Sequence, residues 1–190
     1  MELLSHPLFI TLLSVIVGTG ILGYLNYRRT RRDTIRDKSL DFLNEVSSAL
    51  NLPMSKLFHV IRSCNKNVPN NLWQESGALF TKRLNVRVKS RSLLKNPNFF
   101  QAYDELVWEI KHLLKSIESL SDENEQNLKN EIIKHLSELE QNWKIQIKES
   151  KEELPSPYHE FMNWVQLIWD RIDEVLSDEI SQVLNRGLWN

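Results

Sequence analysis

Apolar positions in this chain follow two patterns: one uncharged run opens it, and helically spaced apolar residues fill the rest. From Leu3 to Tyr27 the run LLSHPLFITLLSVIVGTGILGYLNY holds no Lys, Arg, Asp or Glu. Rising about 1.5 Å per residue, a helix of these 25 residues reaches roughly 37 Å, enough to cross a hydrocarbon core of about 30 Å with tilt. Beyond it, Ile35, Phe42, Leu43, Val46 and Leu50 predict a helix from Asp33 to Leu52. No Gly or Pro separates the two, so they can form one continuous helix. Pro53 is expected to end that helix or open the next turn, with Leu57, Phe58, Val60 and Ile61 in a short second helix to about Cys64. Residues 65–71 read as a loop by composition.

Leu72 to Leu94 is ambiguous. Leu79, Phe80 and Leu84 fit a helix, whereas Leu84, Val86 and Val88 alternate as in a strand. A lone strand would leave its edges unpaired, so helix is the expectation. After Asn96-Pro97-Asn98, the residues Phe99, Tyr103, Leu106, Ile110, Leu113, Ile117 and Leu120 recur in alternating steps of four and three, a heptad-like seam. Acids after Ser121 open the next helix, which uses Leu128, Ile132, Leu136, Leu139, Trp143 and Ile147. The short turn between them predicts an antiparallel hairpin. Pro155 and Pro157 break the chain before a last helix, about Tyr158 to Leu188. Its inward stripe is expected to be Phe161, Val165, Ile168, Ile172, Val175, Val183 and Leu184, flanked by Trp164 and Trp169.

The fold expected is all-α: an N-terminal transmembrane helix, then a cytosolic helical bundle of long amphipathic helices whose second half is a three-helix unit. Pairing of the long helices between chains as a coiled coil is the alternative. The divisions are an anchor at 1–27, a basic juxtamembrane segment at 28–38 and an all-helical domain at 39–190.

Charge refines the first of these. A cleaved signal peptide would have a basic start, a shorter apolar run and a small-residue cleavage site. Here Glu2 is the only charge before the run, and Asn26-Tyr27-Arg28-Arg29 follows it, so a retained signal anchor is expected. Arg28, Arg29, Arg31, Arg32, Arg36 and Lys38 border the run against Asp33 and Asp37, which places the C-terminal domain in the cytosol and the short N-terminus outside. Arg28, Arg29, Arg31 and Arg32 would meet lipid headgroups, with Tyr24 and Tyr27 at the interface. Ser14-x-x-x-Gly18 and Thr19-x-x-x-Gly23 are small-xxx-small pairs that favour helix contact in a bilayer. The location implied is a single-pass protein of a bacterial inner membrane.

Residues 1–100 hold 15 Lys or Arg against 6 Asp or Glu, a net of +9; residues 101–190 hold 9 against 19, a net of −10. The most basic stretch contains Lys82, Arg83, Arg87, Lys89 and Arg91. It suits an anionic lipid, a phosphate-bearing ligand, a neighbouring subunit or the acidic half of its own chain. The single cysteine, Cys64, excludes an internal disulfide and a thiol-rich metal site.

Catalytic patterns are sparse. There is no Gly-rich phosphate loop and no serine elbow. His59 and Cys64 lie five apart and share no helical face. Glu109-x-x-His112 has the spacing of dinuclear carboxylate bundles, but a second Glu-x-x-His is missing, since Glu131 and His135 stand four apart. No metal, cofactor or enzymatic activity is therefore expected. The pattern points to a membrane-tethered helical sensor or scaffold that acts through protein contacts, as a homo-oligomer with an unidentified protein partner. The alternative is a membrane-permeabilising effector of bacterial antiviral defence, triggered through its cytosolic domain; that likeness is one of architecture only.

Overall fold

The computed structural model describes residues 7–121, 123–148, 150, 151 and 153–185, with residues 7–14 and 16 described in their backbone alone. Five helices account for them: α1 (Pro7–Arg62), α2 (Asn70–Leu93), α3 (Phe99–Glu118), α4 (Glu125–Trp143) and α5 (Tyr158–Asn185). The described residues include no strand. The all-α expectation holds, and the ambiguous Leu72–Leu94 stretch is a helix. Among the described residues no helix is long and apolar enough to cross a membrane. About half of the uncharged run, residues 3–14 and Ile16, lies outside the described side chains.

Pro53 does not divide α1. It lies buried within one 56-residue helix. A proline there removes a backbone donor and crowds the carbonyl four residues back, a cost of about 3 kcal/mol. Leu50, Met54, Leu57 and Ile61 flank it on one face and are buried almost completely. Each such side chain contributes about 1.5–3 kcal/mol, so core packing across the proline outweighs the break. The helix ends instead at a Schellman turn: Cys64 N–H donates to Ile61 O at 2.9 Å, and Asn65 N–H donates to Val60 O at 3.2 Å. Cys64 takes the left-handed conformation at φ 48° that this turn needs.

Side-chain pairs give the helix directions. Ser39 bonds Leu93 O and Lys89 bonds Glu45, while Lys56 pairs with Glu75, so α2 runs antiparallel to α1. Arg83 meets Asp104 and Trp73 meets Glu118, so α3 reverses again. Glu109 of α3 contacts His135 of α4, which fits the expected antiparallel hairpin. The hairpin is loose, however: α4 packs more on α5 than on α3, and α5 makes its most extensive contact with α1. The acidic C-terminal helix therefore lies along the first helix. The three helices of the second half share one core with α1 and α2.

The α3 seam is buried at all seven predicted positions, with Val107 and Leu114 added. On α5 the stripe departs from expectation. Phe161, Val165, Ile168, Ile172 and Val183 are buried, but Val175 is only half-buried and Leu184 is exposed. Leu176 and Glu179 take the inward places, and Trp164 is in the core at 1% exposure.

Lys144 closes α4 at φ 58°, also left-handed, and its side chain is exposed. A side chain held there costs about 1–2 kcal/mol, and glycine gives back about 0.5–1 kcal/mol in chain entropy. Lys144→Gly is therefore expected to stabilise the fold by about 0.5–1 kcal/mol in urea unfolding. Cys64→Gly should gain less because it surrenders a half-buried side chain. No gain from Lys144→Gly would show that the turn is unstrained.

Candidate functional site

The α3 seam leaves Glu109 and His112 one helical turn apart, bordering the face that Leu106, Ile110 and Leu113 bury. His135 borders the buried stripe of α4 in the same way, between Ile132 and Leu136. Trp164 of α5 fills the space behind them. His135 Nε2–H donates to Glu109 Oε2 at 2.8 Å, and Trp164 Nε1–H donates to the same oxygen at 3.3 Å. The imidazoles of His112 and His135 stand edge to face at 5.0 Å, and the indole lies 5.2 Å from the first and 4.7 Å from the second. One ligand atom from each of Glu109, His112 and His135 falls within 4.8 Å of the others. These three residues could hold a metal ion. Burial, then the neighbouring His135, lowers the His112 pKa below its ordinary value of 6.5.

Glu109 also lines an open groove of about 650 Å³ with Asp104, Glu105, Trp108, Trp143 and Arg171. It lies between α3, α4 and α5 and meets the cluster at Glu109 alone, since neither histidine lines it.

The sequence pairs Glu109 with His112, weighs His135 only together with Glu131, and sees Trp164 only as a flank of the α5 stripe. Requiring a second Glu-x-x-His tests for a dinuclear set; a mononuclear set needs only one more donor from a facing helix. Two histidines near the middles of consecutive amphipathic helices are the signal that was available. Glu131 is exposed and takes no part. His59, also exposed, stands edge to face on Phe58.

The basic segment is not gathered on one face. Arg83 turns to α3, where one guanidinium nitrogen donates to Asp104 Oδ2 at 2.6 Å and the group lies 4.6 Å from the Phe80 ring. Arg87 lies over Phe100, also on α3, at 5.7 Å. Lys89 turns to α1, where Nζ donates to Glu45 Oε2 at 2.8 Å and holds that carboxyl below its ordinary range. Lys82 and Arg91 are exposed. Towards the start of α1 Arg28 lies over Tyr24 at 5.7 Å, while Arg29 and Arg31 are exposed and Arg32 is half-buried. Thr19 Oγ1 donates to Val15 O at 2.7 Å. A side chain added at Gly18 or Gly23 would meet nothing within 4 Å. The Ser14 side chain lies outside the described residues.

Because the folded His112 resists protonation more than the unfolded chain does, its contribution is complete above pH 6.5 and declines as pH falls below that value. The Tm is expected to drop between about pH 7.5 and about pH 5.5, and less so in His112→Gln. Equal slopes in the two proteins would show that burial of this ring is not linked to stability.

No protein-family model, curated protein or solved structure matches the chain at a significant level.

Proposed function

We propose that the chain is a membrane-tethered helical scaffold or sensor that assembles with itself and acts through protein contacts. The observation that carries this is the continuity of α1. Its later half forms the centre of the bundle, while Ile21, Leu22 and Leu25 in its earlier half are 54%, 62% and 53% exposed. Apolar side chains left uncovered along a helix mark an interaction surface. The residues before them complete an uncharged run from Leu3, and arginines follow at 28, 29, 31 and 32. A bilayer is the occupant that this order of apolar run, tyrosines and arginines fits, with the bundle on the cytosolic side. Gly18, Gly20 and Gly23 have open space around them, which supports close approach of a second copy within the membrane.

Topology and assembly test the proposal together. A cytosol-dependent reporter fused to the C-terminus should be active and an exported one silent. The full chain should resist alkaline extraction, and removal of residues 1–27 should release it. Crosslinking in mild detergent should yield dimers or larger species. Activity of the exported reporter alone, or complete extraction of the full chain, would overturn the anchor. A monomer at every concentration would overturn assembly. Dye entry into cells that depends on residues 1–27 would replace the scaffold with the permeabilising effector.

The basic segment permits a separate test. Lys82→Glu with Arg91→Glu reverses two of the exposed charges and spares Arg83–Asp104 and Lys89–Glu45. Assembly is expected to survive, since exposed ion pairs are worth only about 0–1 kcal/mol each. Loss of crosslinking would place the subunit interface on α2. Loss of binding to anionic vesicles, with assembly kept, would assign these residues to lipid.

A further inference from the structure

The geometry points to a mononuclear site for a divalent first-row transition ion, of the zinc class, held by Glu109, His112 and His135. Two imidazoles and a carboxylate suit such an ion better than calcium or magnesium, which take oxygen ligands. They leave one tetrahedral position open, as in zinc sites with three protein ligands. Zinc bonds of 2.0–2.2 Å set ligand atoms about 3.3 Å apart in a tetrahedron. His135 and Glu109 already stand at 2.8 Å, and the full set lies within 4.8 Å. Closing it moves ligand atoms by about 1–2 Å, within the reach of side-chain rotation. His112 is the most exposed of the three although its ring also packs on His135 and Trp164, so it is the ligand with most room to turn.

The surroundings resemble a built site. Metal-binding carboxylates are oriented by a neighbouring donor, and Glu109 receives the Trp164 indole N–H. That indole is anchored in the core and walls both imidazoles from behind. His112 opens the cluster to solvent, and Glu109 borders the groove between α3, α4 and α5. The ion would tie α3 to α4, the two consecutive helices that pack together least. Nothing in this assignment depends on membrane anchoring, so the two proposals can fail separately.

The full chain in detergent micelles, stripped with a chelator, should bind Zn²⁺ at one ion per chain in calorimetric titration. Co²⁺ should give the intense visible absorption of a tetrahedral site. His112→Ala, His135→Ala and Glu109→Gln should each weaken Zn²⁺ binding at least tenfold, and Trp164→Phe should weaken it less. His59→Ala with His159→Ala, which lie outside the cluster, should leave it unchanged. Zn²⁺ should also raise the Tm in the parent chain and not in the double variant His112→Ala/His135→Ala. Circular dichroism checks that each variant remains helical; were one to unfold, the Co²⁺ spectrum and zinc stoichiometry of the parent chain decide the matter. Absence of zinc binding by the parent chain, or binding unchanged in all three ligand variants, would return the cluster to a hydrogen-bonded clasp between helices.

Discussion

The packing of α5 along α1 is the contact on which the rest of the structure depends. α1 is long, crosses a proline and exposes its first half, so it needs continuous burial over its second half to remain a single helix there. The side chains flanking Pro53 receive that burial from the core. On the same helix face as this packing, Trp169 Nε1–H donates to Asn51 Oδ1 at 3.0 Å, and its ring stands 5.8 Å from Phe58. α2 and α3 close the other sides, and α4 is held mainly through α5. Removing α5 would therefore uncover both ends of the chain's logic: the core around Pro53 and the wall behind the histidines.

Charge plays a smaller part in this assembly than the contrast between a +9 and a −10 half suggests. The α2 cations whose carboxylate partners are defined find them within the chain, and those partners come from both halves: Lys89 pairs with Glu45 of the first and Arg83 with Asp104 of the second. Arg83 and Arg87 also cover aromatic rings, which uses their planar groups as packing surface as well as charge. Partly exposed pairs of this kind contribute little individually. They orient α2 between α1 and α3; the apolar faces supply the free energy. The asymmetry follows from where the acidic α5 lies in sequence, although in space it runs beside α1.

How much was visible beforehand depends on whether a feature is local. The α3 seam was read correctly from Phe99 to Leu120 because its period is a property of one helix. The α5 stripe follows the expected residues up to Ile172 and again at Val183, and departs from them at Val175 and Leu184. Four-residue steps from Ile172 to Leu176 and from Glu179 to Val183 put a carboxylate, Glu179, in the buried row. Glu179 is fully buried, and its oxygens have no hydrogen-bond partner among the described residues, so hydropathy alone would reject the position. Pro53 was misjudged because its local cost is certain while the compensating burial comes from elements far along the chain. The candidate site divides in the same way. Glu109 and His112 share a helical turn and are visible as a pair, whereas His135 and Trp164 join them only through tertiary packing.

α5 is common to the two functional proposals, and this bears on how they could be related. One of its faces presents Trp164 to the Glu109, His112 and His135 cluster. A little over one turn later it presents Trp169 to α1, the helix that carries the exposed apolar segment. An ion that drew His112 and His135 together would have to reposition imidazoles packed against the Trp164 indole. The indole is in a core without slack, so the displacement must be taken up by rotation of the rings or by a shift of α5 against α1. Dense interiors transmit such shifts in preference to absorbing them. Contiguity is a requirement for coupling and does not amount to it; coupling also needs two alternative arrangements that both sites bias. The looseness of α4 against α3 is where a second arrangement costs least. Changing the distance between those helices alters the cluster directly while leaving the α1–α2–α3 packing in place. For such an input α5 is the broader path to α1, since it packs on α3, α4 and α1, whereas α3 itself touches α1 only slightly.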